Sequence, residues 1–278
     1  MNQTIQPAWM AKYANGERIS NSQAYAEYAA YYCVDGSADS EPDIEERLAP
    51  AAPLLRPYAS RTGTKSTLEN MRKMGWSILV SAAGVLRTEG FDNWCLDNGA
   101  WSAFRQGKPF DEDAFARAID KVGEGADFVV LPDIVEGGMA SLDLSLKWLD
   151  KMSGFSERVL IAVQDGMTVD DVRCHLGPMV GLFIGGSTQW KLATLDAWSA
   201  LARRKGAYLH VGRVNSLKRI TACAQVGANS FDGTSIISFP DSIHMLTSGL
   251  IASRHQQSLF NPRTKELAEV AYDCGWQG

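Results

Sequence analysis

The sequence predicts an α/β fold and, within that class, a (β/α)8 barrel. Candidate strands alternate with candidate helices of about 10 to 15 residues, which is typical of right-handed βαβ units and a parallel sheet. The chain has 278 residues, a length that α/β barrels often fold as a single domain. The runner-up is a doubly wound sheet, which usually carries a GxGxxG turn after its first strand, and this sequence has no such turn.

The candidate strands are apolar, β-branched runs, most of which end on Asp, Gln or Gly. Continuous apolar runs are typical of parallel strands that are buried on both faces. We count seven, so one strand of an eight-stranded barrel is not recognised. The seven are Trp76–Ser81, Trp94–Asp97, Phe128–Val135, Val159–Gln164, Gly181–Gly186, Ala207–Gly212 and Asn229–Gly233.

The candidate helices lie between these strands. Thr168 is a good N-cap residue, with Asp170 and Asp171 placed in the first turn where acids favour the helix dipole. The other helices are expected near Ser66–Met74, Asp111–Val122, Met139–Met152, Leu192–Lys205, Ser216–Gln225 and Asp241–His255.

The first part of the chain differs in composition from the rest. It holds a helix candidate at Ser20–Cys33, an acidic run at Asp39–Glu46, and then three prolines. Acids and prolines leave little to bury, which is typical of a linker. We therefore expect residues 1–58 to be an accessory segment with a linker, and residues 59–278 to be the catalytic domain.

Composition limits the classes of protein. The net charge is −5, from 27 basic and 32 acidic residues, which is not the basic footprint of a protein held to nucleic acid mainly by charge. The five cysteines are widely spaced without a CxxC pair, so neither a disulfide framework nor a zinc site is expected. No apolar run reaches the roughly 18 residues of a membrane span, and the first residues lack the features of a signal peptide. These features predict a cytoplasmic protein with no membrane partner.

Polar residues at the strand ends predict the site, because the carboxyl ends of barrel strands meet at one face. The residues expected to converge are Asp97, Asp133, Gln164, Gly185, Gly186 and Asp232. A carboxylate can accept two N–H donors from an amidine-like edge, and the amides can bind a carbonyl oxygen, so the set suits a guanine-like base. One carboxylate could act as a covalent nucleophile and a second could move protons. Metal binding is the rival use, weakened because His210 is the one histidine at a strand end.

The order of these motifs resembles the guanine transglycosylases that exchange guanine for a 7-deazaguanine in tRNA, and most closely the DpdA group, which inserts 7-deazaguanines into DNA. The resemblance spans about Ser60 to Ser238 and is carried by Leu96-Asp97-Asn98-Gly99-Ala100-Trp101, Leu131-Pro132-Asp133, Val163-Gln164-Asp165-Gly166, Ile184-Gly185-Gly186, His210-Val211-Gly212-Arg213 and Phe231-Asp232-Gly233.

The resemblance implies a role for each residue. Asp232 would be the nucleophile that attacks C1′, and Asp97 would handle the protons of the leaving and entering bases. Asp133 would read the N–H edge of the base, and Gln164 and Gly186 would bind its carbonyl. The remaining residues expected to bind substrate are Asn98, Gly185, His210 and Arg213. His210 fits either a pocket-lining or a structural role, and Arg213 either a phosphate contact or a surface ion pair.

Three departures separate this sequence from the tRNA enzymes, and the differences in the first motif and after the nucleophile favour DNA over tRNA as the partner. The tRNA enzymes carry a C-terminal zinc subdomain, but the tail after Ser258 here has one cysteine, Cys274, so we expect neither that zinc nor another cofactor. The first motif reads Asp-Asn-Gly-Ala-Trp instead of Asp-Ser-Gly-Gly-Phe, and residues 233–238 lack the arginines that follow the nucleophile in the tRNA enzymes. The expected small partner is a 7-deazaguanine base such as preQ0 or a relative. The sequence leaves open a tRNA enzyme, a retaining nucleoside or glycoside hydrolase, a non-catalytic base-binding module, and assembly as a homodimer.

Overall fold

A computed structural model describes residues 54–260, with side chains described through Arg254. Eight strands form a closed barrel in which each strand pairs in parallel with its neighbours in chain order, and β1 closes the barrel against β8. The strands are β1 Arg56–Ser60, β2 Ser77–Ser81, β3 Trp94–Asp97, β4 Val129–Val130, β5 Val159–Val163, β6 Val180–Ile184, β7 Leu209–Val211 and β8 Ser230–Gly233. The predicted (β/α)8 fold is therefore confirmed. The helix predicted at Ser20–Cys33 lies outside the described residues.

Helices connect the strands, except between β2 and β3, where residues 82–93 form a loop. Between β3 and β4 there are two helices, and the first, which the sequence analysis did not predict, directly follows the site residue Asp97. The helices are α1 Lys65–Lys73, α2 Ala100–Arg105, α3 Glu112–Val122, α4 Met139–Lys151, α5 Val169–Val172, α6 Thr188–Arg204, α7 Leu217–Gln225, α8 Ser235–Ser238 and α9 Ser242–Phe260, with a 3₁₀ turn at Arg173–His175.

Strand β1 is the strand that the sequence analysis did not recognise. It begins at Arg56, so the barrel includes the last residues of the range 1–58 that was predicted to be accessory segment and linker. Arg56 and Pro57 hide the pattern, because a charge and a residue without an N–H argue against a central strand. The Arg56 charge is bound by Asp127 at 2.8 Å, and the Tyr58 hydroxyl donates to the same carboxylate at 2.6 Å.

Strand β4 ends at Val130 and is shorter than the predicted run Phe128–Val135, because the Leu131 N–H is the last to bond to β5 and Pro132 has no N–H. From the Leu131 carbonyl onward, side chains replace the strand ladder as partners of the backbone. The Leu131 carbonyl accepts from Asn98 Nδ2 at 2.7 Å, and the Pro132 carbonyl accepts from the Ser145 hydroxyl at 2.8 Å. The chain that carries Asp133 is therefore held by α4 and by the residue after Asp97, which fixes the position of this carboxylate.

The barrel interior is filled by aromatic and aliphatic side chains, and polar residues form the layer above them. Side chains alternate between the two faces of a strand, so Asp97 lies on the interior side like the buried Cys95, one layer closer to the carboxyl end. The same step leads from Ser230 to Asp232 on β8. The interior cluster comprises Tyr58, Leu79, Cys95, Phe128, Val130, Leu160 and Ala162, with Phe183 and Tyr208 packed against it.

Candidate active site

Asp97 is a half-buried carboxyl group at the end of β3 whose surroundings disfavour its charge. Burial is the largest cause, followed by the negative charges of Asp232 and Asp133, and together they raise the pKa of Asp97 to about 7. The Gly99 N–H, which donates to Asp97 Oδ2 at 3.1 Å, acts in the opposite direction but is outweighed. Asp97 can therefore both give and take a proton near neutral pH.

Asp232 lies at the end of β8 and is buried, but its carboxylate is held by donors. His210 Nε2 lies 3.0 Å from Asp232 Oδ1, and the Arg213 backbone N–H donates to the same oxygen at 3.3 Å. The Ser230 hydroxyl lies 2.7 Å from His210 Nδ1. With Nδ1 accepting from Ser230, Nε2 carries the hydrogen and donates to Asp232, so the chain of three side chains fixes the carboxylate.

His210 was predicted to bind substrate, and this assignment is wrong. Its side chain is fully buried, and both ring nitrogens are bonded to protein. The ring stacks on Phe183 at 5.0 Å and packs against Phe128 at 4.9 Å. His210 therefore lies beneath the nucleophile candidate and orients it, with no open edge left for a ligand. Ser230, which completes this arrangement, was not singled out from the sequence, since a lone serine at a strand start gives no signal.

Asp133 and Asn98 form one unit across β3 and β4. Asn98 Nδ2 donates to Asp133 Oδ1 at 2.8 Å, while Asn98 Oδ1 accepts from the Ala100 N–H at the start of α2. Burial raises the pKa of Asp133, and the Asn98 amide and the Arg213 charge oppose that rise. Asn98 therefore orients the Asp133 carboxylate, which was predicted to read a base. Asn98 itself was predicted to contact the substrate directly, and the structure gives it this supporting role instead.

Gln164 and the two glycines lie on the adjacent strand ends, with some of their donors already used. Gln164 Nε2 donates to the Ile134 carbonyl at 2.8 Å, which leaves one amide hydrogen for a ligand. The Gly185 N–H donates to the Val163 carbonyl at 2.8 Å as part of the barrel, so its predicted role as a donor to substrate is wrong. Among the described residues, the Gly186 N–H has no partner.

A side chain at Gly186 would collide with neighbouring protein atoms, so this position requires glycine. Its φ is +69°, and a Cβ would collide with the Asp165 carboxylate and lie 2.9 Å from the Trp190 ring. Asp165 is fixed there because it accepts from the Ser187 N–H and hydroxyl, each at 2.6 Å. Gly233, beside Asp232, is also confined by protein, since a Cβ would lie 2.5 Å from the Val214 carbonyl.

Arg213 joins several parts of the site. Its φ of +57° is unusual for a residue with a side chain, and this backbone aims its N–H at Asp232. Its guanidinium donates to the Gly186 carbonyl and lies 4.4 Å from the centre of the Trp101 ring. These bonds occupy part of the group that was predicted to contact phosphate.

Lys191 is a charged residue near the site that the sequence analysis did not identify. It is 6% exposed, and its ammonium donates to the Gly212 carbonyl. Burial and the charge of Arg213 lower the pKa of Lys191 to about 8, and the charge of Asp232 opposes this change. Its spacing with Leu195 and Trp198 places it on the apolar face of α6, and this periodicity is the signal that could have found it.

Two further features of the described residues bear on what the site can do. No group of three or more His, Cys, Asp or Glu side chains among residues 54–254 is arranged to hold a metal ion. No described helix is long and apolar enough to cross a membrane. The geometry defines a parallel barrel with three interacting carboxyl groups, one arginine and amide donors at the carboxyl ends of its strands.

The sequence matches no protein-family model and no curated protein. Among solved structures it is similar to tryptophan synthase from M. tuberculosis in the aminoacrylate- and BRD0059-bound form, at 13% identity and a TM-score of 0.48, over 74% of this chain and 94% of that chain. It is also similar to RipC from Yersinia pestis, at 12% identity and a TM-score of 0.42, over 70% of this chain and 94% of that one. Likenesses of this size carry no conclusion about activity, so the barrel rests on its own strand pairing.

Proposed function

We propose that this protein is a transglycosylase that exchanges guanine for a 7-deazaguanine base in DNA through a covalent glycosyl intermediate on Asp232. The observation that carries the proposal is the contrast between two neighbouring carboxyl groups. Asp232 is held by donors from His210 and Arg213, whereas the pKa of Asp97 is raised to about 7. Two carboxyl groups in different surroundings are a common basis for dividing acid, base and nucleophile roles.

In the first half-reaction, an Asp232 oxygen attacks C1′ and the bond from C1′ to the guanine nitrogen breaks. The proton of neutral Asp97 goes to the departing base, so no free base anion accumulates. In the second half, ionised Asp97 takes the proton from the entering 7-deazaguanine. The nitrogen of that base then attacks C1′ and displaces Asp232. Two displacements at one carbon retain the original configuration.

Base recognition would use polar groups at the carboxyl ends of strands β3 to β6. Asp133, oriented by Asn98, can accept from the N–H edge of a guanine-like base. The remaining Gln164 amide hydrogen and the Gly186 N–H can donate to its carbonyl oxygen. A donor set fixed before the ligand arrives favours binding, because little side-chain order is lost on association.

The test is base exchange with labelled guanine, offered with DNA and with tRNA, for wild type, Asp232→Asn and the exposed control Asp196→Asn on α6. We expect exchange into DNA by wild type and the control, and a loss of several orders of magnitude in Asp232→Asn, the usual cost of removing a covalent nucleophile. Denaturation during turnover should leave a nucleic acid adduct on a peptide containing Asp232.

The same assay separates the alternatives. Release of base without incorporation would identify a hydrolase, and exchange confined to tRNA would identify the tRNA reaction. Binding of base with neither reaction would identify a non-catalytic module. Exchange by Asp232→Asn at the wild-type rate, or an adduct on Asp97, would refute the assigned nucleophile.

A further inference from the structure

Helix α2 carries two exposed aromatic side chains beside the candidate active site. Trp101 is 42% exposed and Phe104 is 45% exposed, and the helix begins three residues after Asp97. The two rings are stacked, with centroids 5.8 Å apart and planes inclined by 25°. Exposed aromatic rings that stack at the edge of a site are ready partners for another flat group.

Cations flank these rings. Arg213 lies over the Trp101 ring, while Arg105, in the last turn of α2, and Lys108, just after it, are exposed. Neither Arg105 nor Lys108 forms an ion pair with another described residue. These two cations lie beside the rings on a chain whose net charge is −5. The aromatic-basic surface is therefore defined by Trp101, Phe104, Arg105 and Lys108.

We propose that the aromatic-basic surface binds an unpaired stretch of DNA next to the nucleotide that enters the site, an inference that rests on the proposed function. Bases stack on aromatic side chains whatever their sequence, and Lys and Arg bind the phosphates between them. A target base must leave its duplex before a carboxylate can reach C1′, so the strand beside it becomes unpaired. A protein partner fits less well, since two rings flanked by cations are far smaller than a stable protein interface.

The experiment measures binding of a fluorescently labelled single-stranded DNA oligonucleotide by anisotropy, with no reaction required. Phe104→Ala is the aromatic variant, because Trp101 also holds Arg213 and its removal would disturb the site. The charge variant is Arg105→Ala with Lys108→Ala. Its matched control is Lys73→Ala with Lys121→Ala, which removes the same charge from the last turns of α1 and α3, at the opposite end of the barrel.

We expect Phe104→Ala to weaken binding by roughly 5- to 150-fold, the range for the loss of one stacked base. The charge variant should reduce the slope of log affinity against log salt by about 1.4, since two phosphate contacts to a single strand are lost. The control should keep the wild-type slope. Variants that bind like wild type would overturn the proposal, and so would a wild-type protein that does not bind single-stranded DNA.

Binding and base exchange are read separately, so the two proposals can fail separately. Oligonucleotide binding that depends on Phe104 and on the two cations, without base exchange, would support the surface and contradict the transglycosylase. Base exchange with binding that is indifferent to all of these variants would support the transglycosylase and overturn the role of the surface.

Discussion

Replacing Asp97 with asparagine should stabilise the fold at neutral pH while it removes activity. When the pKa of an acid is higher in the folded state than in the unfolded state, ionisation of that acid lowers the free energy of unfolding. The loss is complete at a pH where both states are ionised. The pKa of Asp97 rises from 3.8 to about 7 on folding. Stability therefore falls as pH rises through this interval, because the unfolded chain releases the proton first.

The size of the effect follows from the shift. A difference of roughly three pKa units at about 1.4 kcal/mol each gives an upper limit near 4 kcal/mol above neutral pH. Because Asp97 is half-buried and retains some access to water, we expect a measured gain of about 1–3 kcal/mol for Asp97→Asn. Asparagine keeps an oxygen for the Gly99 N–H, so the turn into α2 is retained.

The assay is chemical denaturation of wild type, Asp97→Asn and the exposed control Asp120→Asn at a series of pH values. The stability difference between Asp97→Asn and wild type should be largest above about pH 8, where both states of wild type are ionised. It should vanish below about pH 3, under the unfolded pKa of 3.8, where both states are protonated. The control should show no such trend. A difference that is independent of pH, or an Asp97→Asn variant that is no more stable at pH 8, would refute the account of this carboxyl group.

Two further predictions concern groups that orient the site. His210→Phe should lower kcat about 10- to 100-fold with little change in KM, because it removes one hydrogen bond to the Asp232 carboxylate. Steady-state kinetics of His210→Gln, which can still donate a hydrogen bond, should show partial recovery of kcat. Equal losses in both variants would contradict an orienting role for His210. Gly186→Ala should weaken binding of the base, measured by calorimetry, because a Cβ would displace Asp165; unchanged affinity would show that this loop adapts.

The fold was predictable because its strongest signal is repeated. Seven apolar runs separated by amphipathic segments indicate a parallel sheet, and each of these runs overlaps a strand of the barrel. Strand β1 was not predicted, because its polar side chains are bound by a residue that is distant in sequence. Arg56 and Tyr58 both bind Asp127, which is 71 and 69 residues away. No local sequence pattern specifies such pairing, so it is recognised from the three-dimensional structure of the closed barrel.

The candidate site was predictable in position but less so in the role of each residue. Asp97, Asp133, Gln164 and Asp232 come together at one face, as their places at strand ends indicate. Whether a residue meets a ligand or supports a neighbour depends on its depth, which sequence spacing does not give. His210 on β7 pairs with Ser230 on β8, so Asp232 lies two residues further along β8 than the residue paired with His210. That offset puts the imidazole one layer below the carboxylate.

Arg213 explains how three carboxyl groups can share one face of the barrel. Bringing such groups together is costly unless donors or positive charges compensate. Arg213 contributes a backbone N–H to Asp232 and a positive charge that acts on Asp133, while its guanidinium is tied to the Gly186 carbonyl. Its left-handed backbone is unfavourable for an arginine, and such conformations persist where the surrounding structure fixes them, often at functional sites. A single residue therefore connects the candidate nucleophile with the groups expected to hold the base. Asp97 lacks a comparable positive partner among the causes that set its pKa, so burial and the charges of Asp232 and Asp133 raise that pKa to about 7.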